Sequence, residues 1–192
     1  AEIADFTDLV ANHLADVGGT AQIQSSQGTI LLQGIAVLEI GVGFGGQFLV
    51  ADHFLTFDEW IMVDLAPVLD LAQAFCEQFE VHNAYSVRTS NQLLGFDNYD
   101  LVVSNYAFSE LPRTVQFRYL ERVLCRGKSG YITMNAGTSD RPSESGPVTI
   151  GDIAERIPDV SVIRDRDSVD TSIVVWGTEE FIGGVDEIIG RL

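Results

Sequence analysis

The stretch Val37-Leu38-Glu39-Ile40-Gly41-Val42-Gly43-Phe44-Gly45-Gly46 constrains the chain more than any other, because an apolar run ends abruptly on a carboxylate and four closely spaced glycines. Apolar residues in an unbroken run suit a parallel strand buried on both faces. The glycines let the backbone turn sharply and approach a ligand where a Cβ would collide. The segment therefore reads as a strand running into a cofactor-binding turn. Two kinds of cofactor use such a turn: a dinucleotide, or the nucleoside and amino-acid parts of S-adenosylmethionine.

From this strand onward, strand-like and helix-like patches alternate almost to the C-terminus. Strands are expected over residues 34–40, 59–64, 82–88, 99–104, 130–135, 160–165 and 171–177, and helices over 46–53, 67–79, 112–124 and 150–156. Such alternation implies an α/β fold with a mainly parallel sheet. Residues 166–170 are too few to hold a crossover helix, so the last two strands are expected to pair antiparallel. Before the sheet, Ile3, Phe6, Val10 and Leu14 recur at helical spacing until Gly18-Gly19, which predicts an amphipathic helix. The expected organisation is an N-terminal helical extension or partial lid over residues 1–33, and a cofactor-binding catalytic domain over 34–192. At 192 residues one core is expected. Residues 138–147, rich in Ser, Gly and Pro, read as a loop after the fifth strand.

Charge acts as an exclusion. A formal net charge of −17, with Lys128 the only lysine, repels nucleic-acid phosphates and anionic lipid surfaces. No apolar run approaches the ~20 residues of a membrane span. The chain opens Ala1-Glu2-Ile3 without an initiator Met, as expected of a processed chain or a piece of a longer one. No basic stretch followed by an apolar one stands there, so a cytoplasmic location is expected. Cys76 and Cys125 are too few for a disulfide framework and read as buried, reduced thiols. His13, His53 and His82 have no metal-ligand spacing, and no metal is expected.

Within the turn, Gly41, Gly43 and Gly46 fit G-x-G-x-x-G, with Asp64 about 20 residues on where a dinucleotide fold places its ribose acid. Gly41, Gly43 and Gly45 equally fit a glycine triplet preceded two residues earlier by an acid, Glu39. An ionised Asp64 offers two oxygens to the two hydroxyls of a ribose.

The segment Tyr99-Asp100-Leu101-Val102-Val103-Ser104-Asn105-Tyr106-Ala107-Phe108-Ser109-Glu110-Leu111-Pro112 resembles the fourth-strand motif of class I S-adenosylmethionine-dependent methyltransferases, with Ser109-Glu110 where a His pair is common. Its continuation through residues 113–124 and 130–135, and the Ile61-Met62-Val63-Asp64-Leu65-Ala66-Pro67 segment, look like the sugar O-methyltransferase branch. The resemblance covers residues 34–177. It implies a Rossmann-like, doubly wound, seven-stranded, mainly parallel sheet with a C-terminal antiparallel strand, and S-adenosylmethionine as methyl donor with S-adenosylhomocysteine as product. It further implies a small-molecule acceptor, a sugar being one class. Glu39, Gly41, Gly43 and Gly45 would cradle the methionine end. Asp64 and Leu65 would meet the ribose and its surroundings, Ser90 and Asn91 the adenine, and Asn105 and Tyr106 the methionine moiety or the acceptor. Glu110, assisted by Asn105, is the candidate catalytic base. Asn135 and the Arg113, Arg118 and Arg122 series are further candidates for acceptor contact. An NAD(P)-dependent oxidoreductase and a non-catalytic cofactor-binding module remain the alternatives.

Overall fold

In the computed structural model, residues 35–55, 57–93, 98–164 and 170–177 are described, together with the backbone of three short strands within residues 14–32. Those strands, β1 (Leu14–Asp16), β2 (Ala21–Ser25) and β3 (Gly28–Leu32), form an antiparallel meander of their own. The sequence reading assigned no strands there. The expected N-terminal helix lies outside the described residues except for Leu14, which opens β1.

The main sheet follows in β4 (Ala36–Ile40), β5 (Glu59–Val63), β6 (Tyr85–Arg88), β7 (Tyr99–Asn105), β8 (Gly127–Met134), β9 (Ser161–Arg164) and β10 (Ser172–Trp176). Helices α1 (Gly46–Phe54), α2 (Ala66–Cys76), α3 (Ala107–Glu110), α4 (Arg113–Arg122) and α5 (Ile150–Ala154) connect them. Strand order is β6-β5-β4-β7-β8-β10-β9. The first five strands in chain order pair parallel, while β10 runs antiparallel to both β8 and β9. All seven expected strands and the four expected helices are present, and the short final connection produces the antiparallel pair it implies.

Alternation along the strands divides the core into two layers. Val37, Trp60, Met62 and Val103 face α1 and α2 with Phe48, Ala51, Leu69 and Ala72. Leu38, Ile40, Ile61, Val63 and Val102 face the other side with Tyr119 and Leu120 of α4 and Ile150 and Ile153 of α5. A strand covered by helices on both faces must be apolar at every position, which is why β4 and β5 show almost no polar residues.

Boundary differences have local causes. Strand β6 begins at Tyr85, three residues later than expected, because the N–H groups of His82 and Asn83 donate instead to the buried Asp52 carboxylate of α1 at 2.7–3.0 Å. Burial alone would raise the Asp52 pKa, but these bonds and those from the His82 and Asn83 side chains together hold it below the usual carboxylate range. The fourth helix stops at Arg122, and a 3₁₀ turn over Leu124–Arg126 leads into β8. Cys76 is buried as expected, whereas that turn leaves Cys125 exposed, a correction to the sequence reading. No helix among the described residues is long and apolar enough to cross a membrane.

Candidate functional site

Chain direction reverses between β4, which is followed by β5 and β6 on one side, and β7, which is followed by β8 on the other. At such a switch point the loops leaving adjacent strands diverge and open a crevice at the carboxyl ends. The turn after β4, Asp64 and Leu65 after β5, and Asn105–Glu110 after β7 all lie at this edge, as does Asn135 after β8.

The glycines of the turn have separate reasons to be glycine. Gly41, Gly43 and Gly45 all have positive φ, at 80°, 53° and 84°. A Cβ on Gly41 would lie 2.0 Å from the Ala107 Cβ, so this position serves the packing of α3 against the turn. A Cβ on Gly43 meets nothing within 4 Å and would stand in open space. Gly45 caps α1 with its Cα face against Cys76 and Ala72 of α2. At Gly46 the atoms nearest to an added Cβ belong to the ring of Phe44, at 2.6 Å. Within the turn the left-handed conformation falls on Gly41, Gly43 and Gly45 and not on Gly46.

Asp64 joins the two cofactor-side loops. Its Oδ2 accepts from the Val42 N–H at 2.9 Å, inside the glycine turn, and its Oδ1 accepts from the Leu65 N–H at 2.7 Å. Each oxygen retains a lone pair for a further donor. Leu65 itself is 71% exposed, an apolar side chain left in the open beside the acid. Ser90 and Asn91 stand in a 3₁₀ turn capped reciprocally by Thr89 and Gln92, with Ser90 half-buried and Asn91 exposed. Ser90 and the buried Tyr119 of α4 line one small cavity, and the Tyr119 pKa is raised by burial and then by the nearby Asp64 charge. Asp64, Ser90 and Tyr119 are thereby neighbours, although they come from three elements.

Glu39 is only 3% exposed and turns away from the crevice into the layer under α1. Its Oε2 accepts from the Trp60 indole N–H at 2.9 Å. Burial first, with Asp64 repulsion adding and the Trp60 bond opposing, pushes its pKa up to about 7. The unfolded chain releases this proton near 4.5 and the folded chain holds it to about 7, so the folded state binds more protons between these values. Stability from this group is therefore fully present below about 4.5 and is lost as pH rises through about 7. Glu39→Gln keeps an oxygen for Trp60 and cannot ionise. Its stability relative to the parent is expected to improve by about 2.5 kcal/mol between pH 5 and pH 8, the part of the proton linkage that falls in this window. Denaturant midpoints measured across that range check this, and parallel curves for both proteins would refute it.

After β7, Asn105 is exposed and clamped between Gln47 Oε1, to which its Nδ2 donates at 2.6 Å, and Thr133 Oγ1, which donates to its Oδ1 at 3.1 Å. Tyr106 has φ 66° and ψ −36°, a conformation costly for a residue with a Cβ. Its N–H donates to the Thr133 carbonyl at 2.9 Å and its carbonyl accepts from Ser109, which together hold the strained backbone while the side chain stays 46% exposed. Glu110 is exposed at the end of α3, and Asn135 Nδ2 donates to its Oε1 at 3.0 Å. Arg113 is committed elsewhere: its guanidinium bonds the carbonyls of Ser143, Gly146 and Pro147, lies near Asp152, and stacks on Phe117. It tethers the loop after β8. Among the described residues, no group of three or more His, Cys, Asp or Glu is placed to hold a metal ion.

Trp60, Gln47 and Tyr119 were not singled out by sequence reasoning, and Ser109 was noted beside Glu110 without a role. Trp60 had a usable signal, since it lies opposite Val37 in the parallel register and so shares a face with Glu39. Gln47 and Tyr119 carry none, because each meets its partner only through tertiary packing.

No family model matches this sequence, and no curated protein matches it. Among solved structures it is similar to the methyltransferase domain of bacterial CtHen1-CN, at TM-score 0.53 and 16% identity over 73% of this chain and 88% of that one. An O-methyltransferase family 2 protein from Planctomyces limnophilus in complex with apigenin aligns at TM-score 0.54 and 17% identity, over 74% of this chain and 49% of the other. Magnesium protoporphyrin IX methyltransferase from Synechocystis, with bound SAM, aligns at TM-score 0.52 and 13% identity, over 74% and 69%. At these identities the likeness shows the fold: a seven-stranded mixed sheet in the strand order of the class I methyltransferases.

Proposed function

We propose that this chain is an S-adenosylmethionine-dependent methyltransferase acting on a hydroxyl of a small molecule, with a sugar as the leading acceptor class. Residues 34–192 would form the catalytic domain and residues 1–33 an extension to it. The observation that carries the reading is the joint placement of Asp64 and the glycine turn at the switch point, with open space above Gly43. The left-handed conformation of Gly41, Gly43 and Gly45 but not of Gly46, and the terminal antiparallel pair, favour the methyl donor over a nicotinamide dinucleotide.

The residues fit such a cofactor. Asp64 presents two anchored oxygens to a ribose diol, exposed Leu65 offers an apolar surface to a base, and Ser90 and Asn91 supply hydrogen-bonding groups in the neighbouring turn. The Gly41–Gly45 backbone gives room for the methionine end. Glu39 lies buried beneath the turn and supports it through its bond with Trp60 instead of by direct contact. Bound in this crevice, the cofactor would supply an electrophilic methyl group for in-line displacement. The chain's own contribution is placement, which can account for much of the rate. Asn105 and Tyr106 border the acceptor side, and Glu110 takes the hydroxyl proton as the new bond forms.

Calorimetry with S-adenosylmethionine, S-adenosylhomocysteine and NAD tests the cofactor. Binding of the first two is expected, and binding of NAD alone would sink the proposal. Product formation across a panel of glycosides and simple alcohols tests the reaction. Glu110→Gln is expected to lower turnover about 100-fold, the low end of general-base contributions, while leaving S-adenosylhomocysteine affinity unchanged. Full turnover in that variant would remove Glu110 from the mechanism.

A further inference from the structure

We infer that Ser109 and Asn135 are positioning residues that aim the Glu110 carboxylate, holding Oε1 and leaving Oε2 as the atom that receives the proton. The inference rests on the reading of Glu110 as base. An exposed glutamate has three freely rotating side-chain bonds, and an undirected carboxylate spends little time in any one geometry. Here one of its oxygens is occupied. The Asn135 amide donates Nδ2–H to Glu110 Oε1 at 3.0 Å.

An amide can present either end to a neighbour, and its orientation is set by what lies on its other side. That neighbour is Ser109. Its buried hydroxyl lies 2.5 Å from Asn135 Oδ1, and the Asn135 backbone N–H donates to the same Ser109 oxygen at 3.2 Å. The hydroxyl's single proton has two acceptors in reach, Asn135 Oδ1 and the Tyr106 carbonyl, while its oxygen accepts from the backbone; a hydroxyl donor facing Oδ1 and an acceptor-only carboxylate on the other side together favour the NH₂ end of the amide toward Glu110. The hydroxyl is itself fixed: Ser109 N–H donates to the carbonyl of the strained Tyr106 at 3.0 Å, and Oγ lies 2.8 Å from that carbonyl. The chain of contacts runs from a rigid strand end, through a buried serine and a strand-terminal asparagine, to an exposed acid. As the acceptor oxygen bonds to the methyl carbon, the methyl–sulfur bond would break with its electron pair staying on the departing S-adenosylhomocysteine, and the acceptor's proton passes to Oε2. Oε1 remains an acceptor, so Asn135 need not move.

Asn135→Asp preserves shape, removes the donor and sets a second carboxylate against Glu110. Ser109→Ala frees the amide to turn its oxygen toward the acid. Both are expected to lower kcat, by about tenfold for Asn135→Asp and less for Ser109→Ala, with acceptor KM and S-adenosylhomocysteine affinity unchanged. A readout that needs no acceptor is the side-chain scalar couplings of Glu110 by NMR, expected to report one rotamer in the parent and averaging in Asn135→Ala. Parent-like kcat in both variants, or parent-like couplings in Asn135→Ala, would overturn the inference. If Glu110→Gln keeps full turnover, the base assignment fails instead, and the couplings still decide whether Asn135 holds the acid.

Discussion

Replacing Gly41 with alanine is expected to cost about 4 kcal/mol of folding stability. Its φ of 80° places it in the left-handed region, where a Cβ costs roughly 1–2 kcal/mol. The added methyl would also lie 2.0 Å from the Ala107 Cβ, and overpacking of that kind costs about 1–3 kcal/mol where the surroundings cannot yield. They cannot easily yield here. Ser104 Oγ donates to the Ile40 carbonyl at 3.0 Å and accepts from the Phe108 N–H at 3.1 Å, fixing α3 against the end of β4. Gly41 N–H is tied to the Val63 carbonyl at 2.8 Å on the other side. Urea unfolding at constant m-value measures the loss. Gly43→Ala is the contrasting variant, because its Cβ would enter open space. It is expected to lose about 1 kcal/mol of stability from φ alone and to weaken cofactor binding, which Gly41→Ala would do only by distorting the turn. Equal stability losses in the two would show that the crevice above Gly43 is not what it is taken to be.

Asp64→Ala is expected to weaken S-adenosylhomocysteine binding about 1,000-fold. Two hydrogen bonds from a ribose diol to a carboxylate contribute about 1.5–3 kcal/mol each. The substitution also releases the N–H groups of Val42 and Leu65, which the two oxygens now hold. The glycine turn and the apolar Leu65 surface would then lose their common anchor, so preorganisation falls together with direct contact. Asp64→Asn retains one acceptor oxygen and is expected to lie between. Calorimetry with the parent and both variants decides this, and parent-like affinity in Asp64→Ala would remove Asp64 from the cofactor site.

The fold was legible because its signals are local and repeated. Short, mainly apolar runs such as Val37–Ile40 and Ile61–Val63, bounded by polar turns, mark strands wherever they occur. The length of the 166–170 connection limits how the last two can pair. What misled or stayed silent was long-range. Asp52 shortens β6 from 30 residues away by taking its N–H groups. Cys125 looked apolar-helical but stands in an exposed turn, because Gly127 starts the next strand early. At the site, Asp64 and the glycines could be picked out because their residue types are unusual at strand ends. The Ser109–Asn135–Glu110 sequence of contacts could not, because serine and asparagine are ordinary in loops and 26 residues separate them in the chain.

The sequence by itself determined that this chain builds a doubly wound sheet with a glycine turn at one strand end, since hydrophobic periodicity and glycine's backbone freedom act within a few residues. It left open how each glycine of the turn is packed and which way Glu39 turns. Tertiary structure decided both. Ala107 packs on Gly41 and Cys76 beside Gly45 while Gly43 stays open, and strand alternation sends Glu39 into the core against Trp60. Both depend on what stands on the neighbouring element, and only folding brings that element within a van der Waals or hydrogen-bond distance.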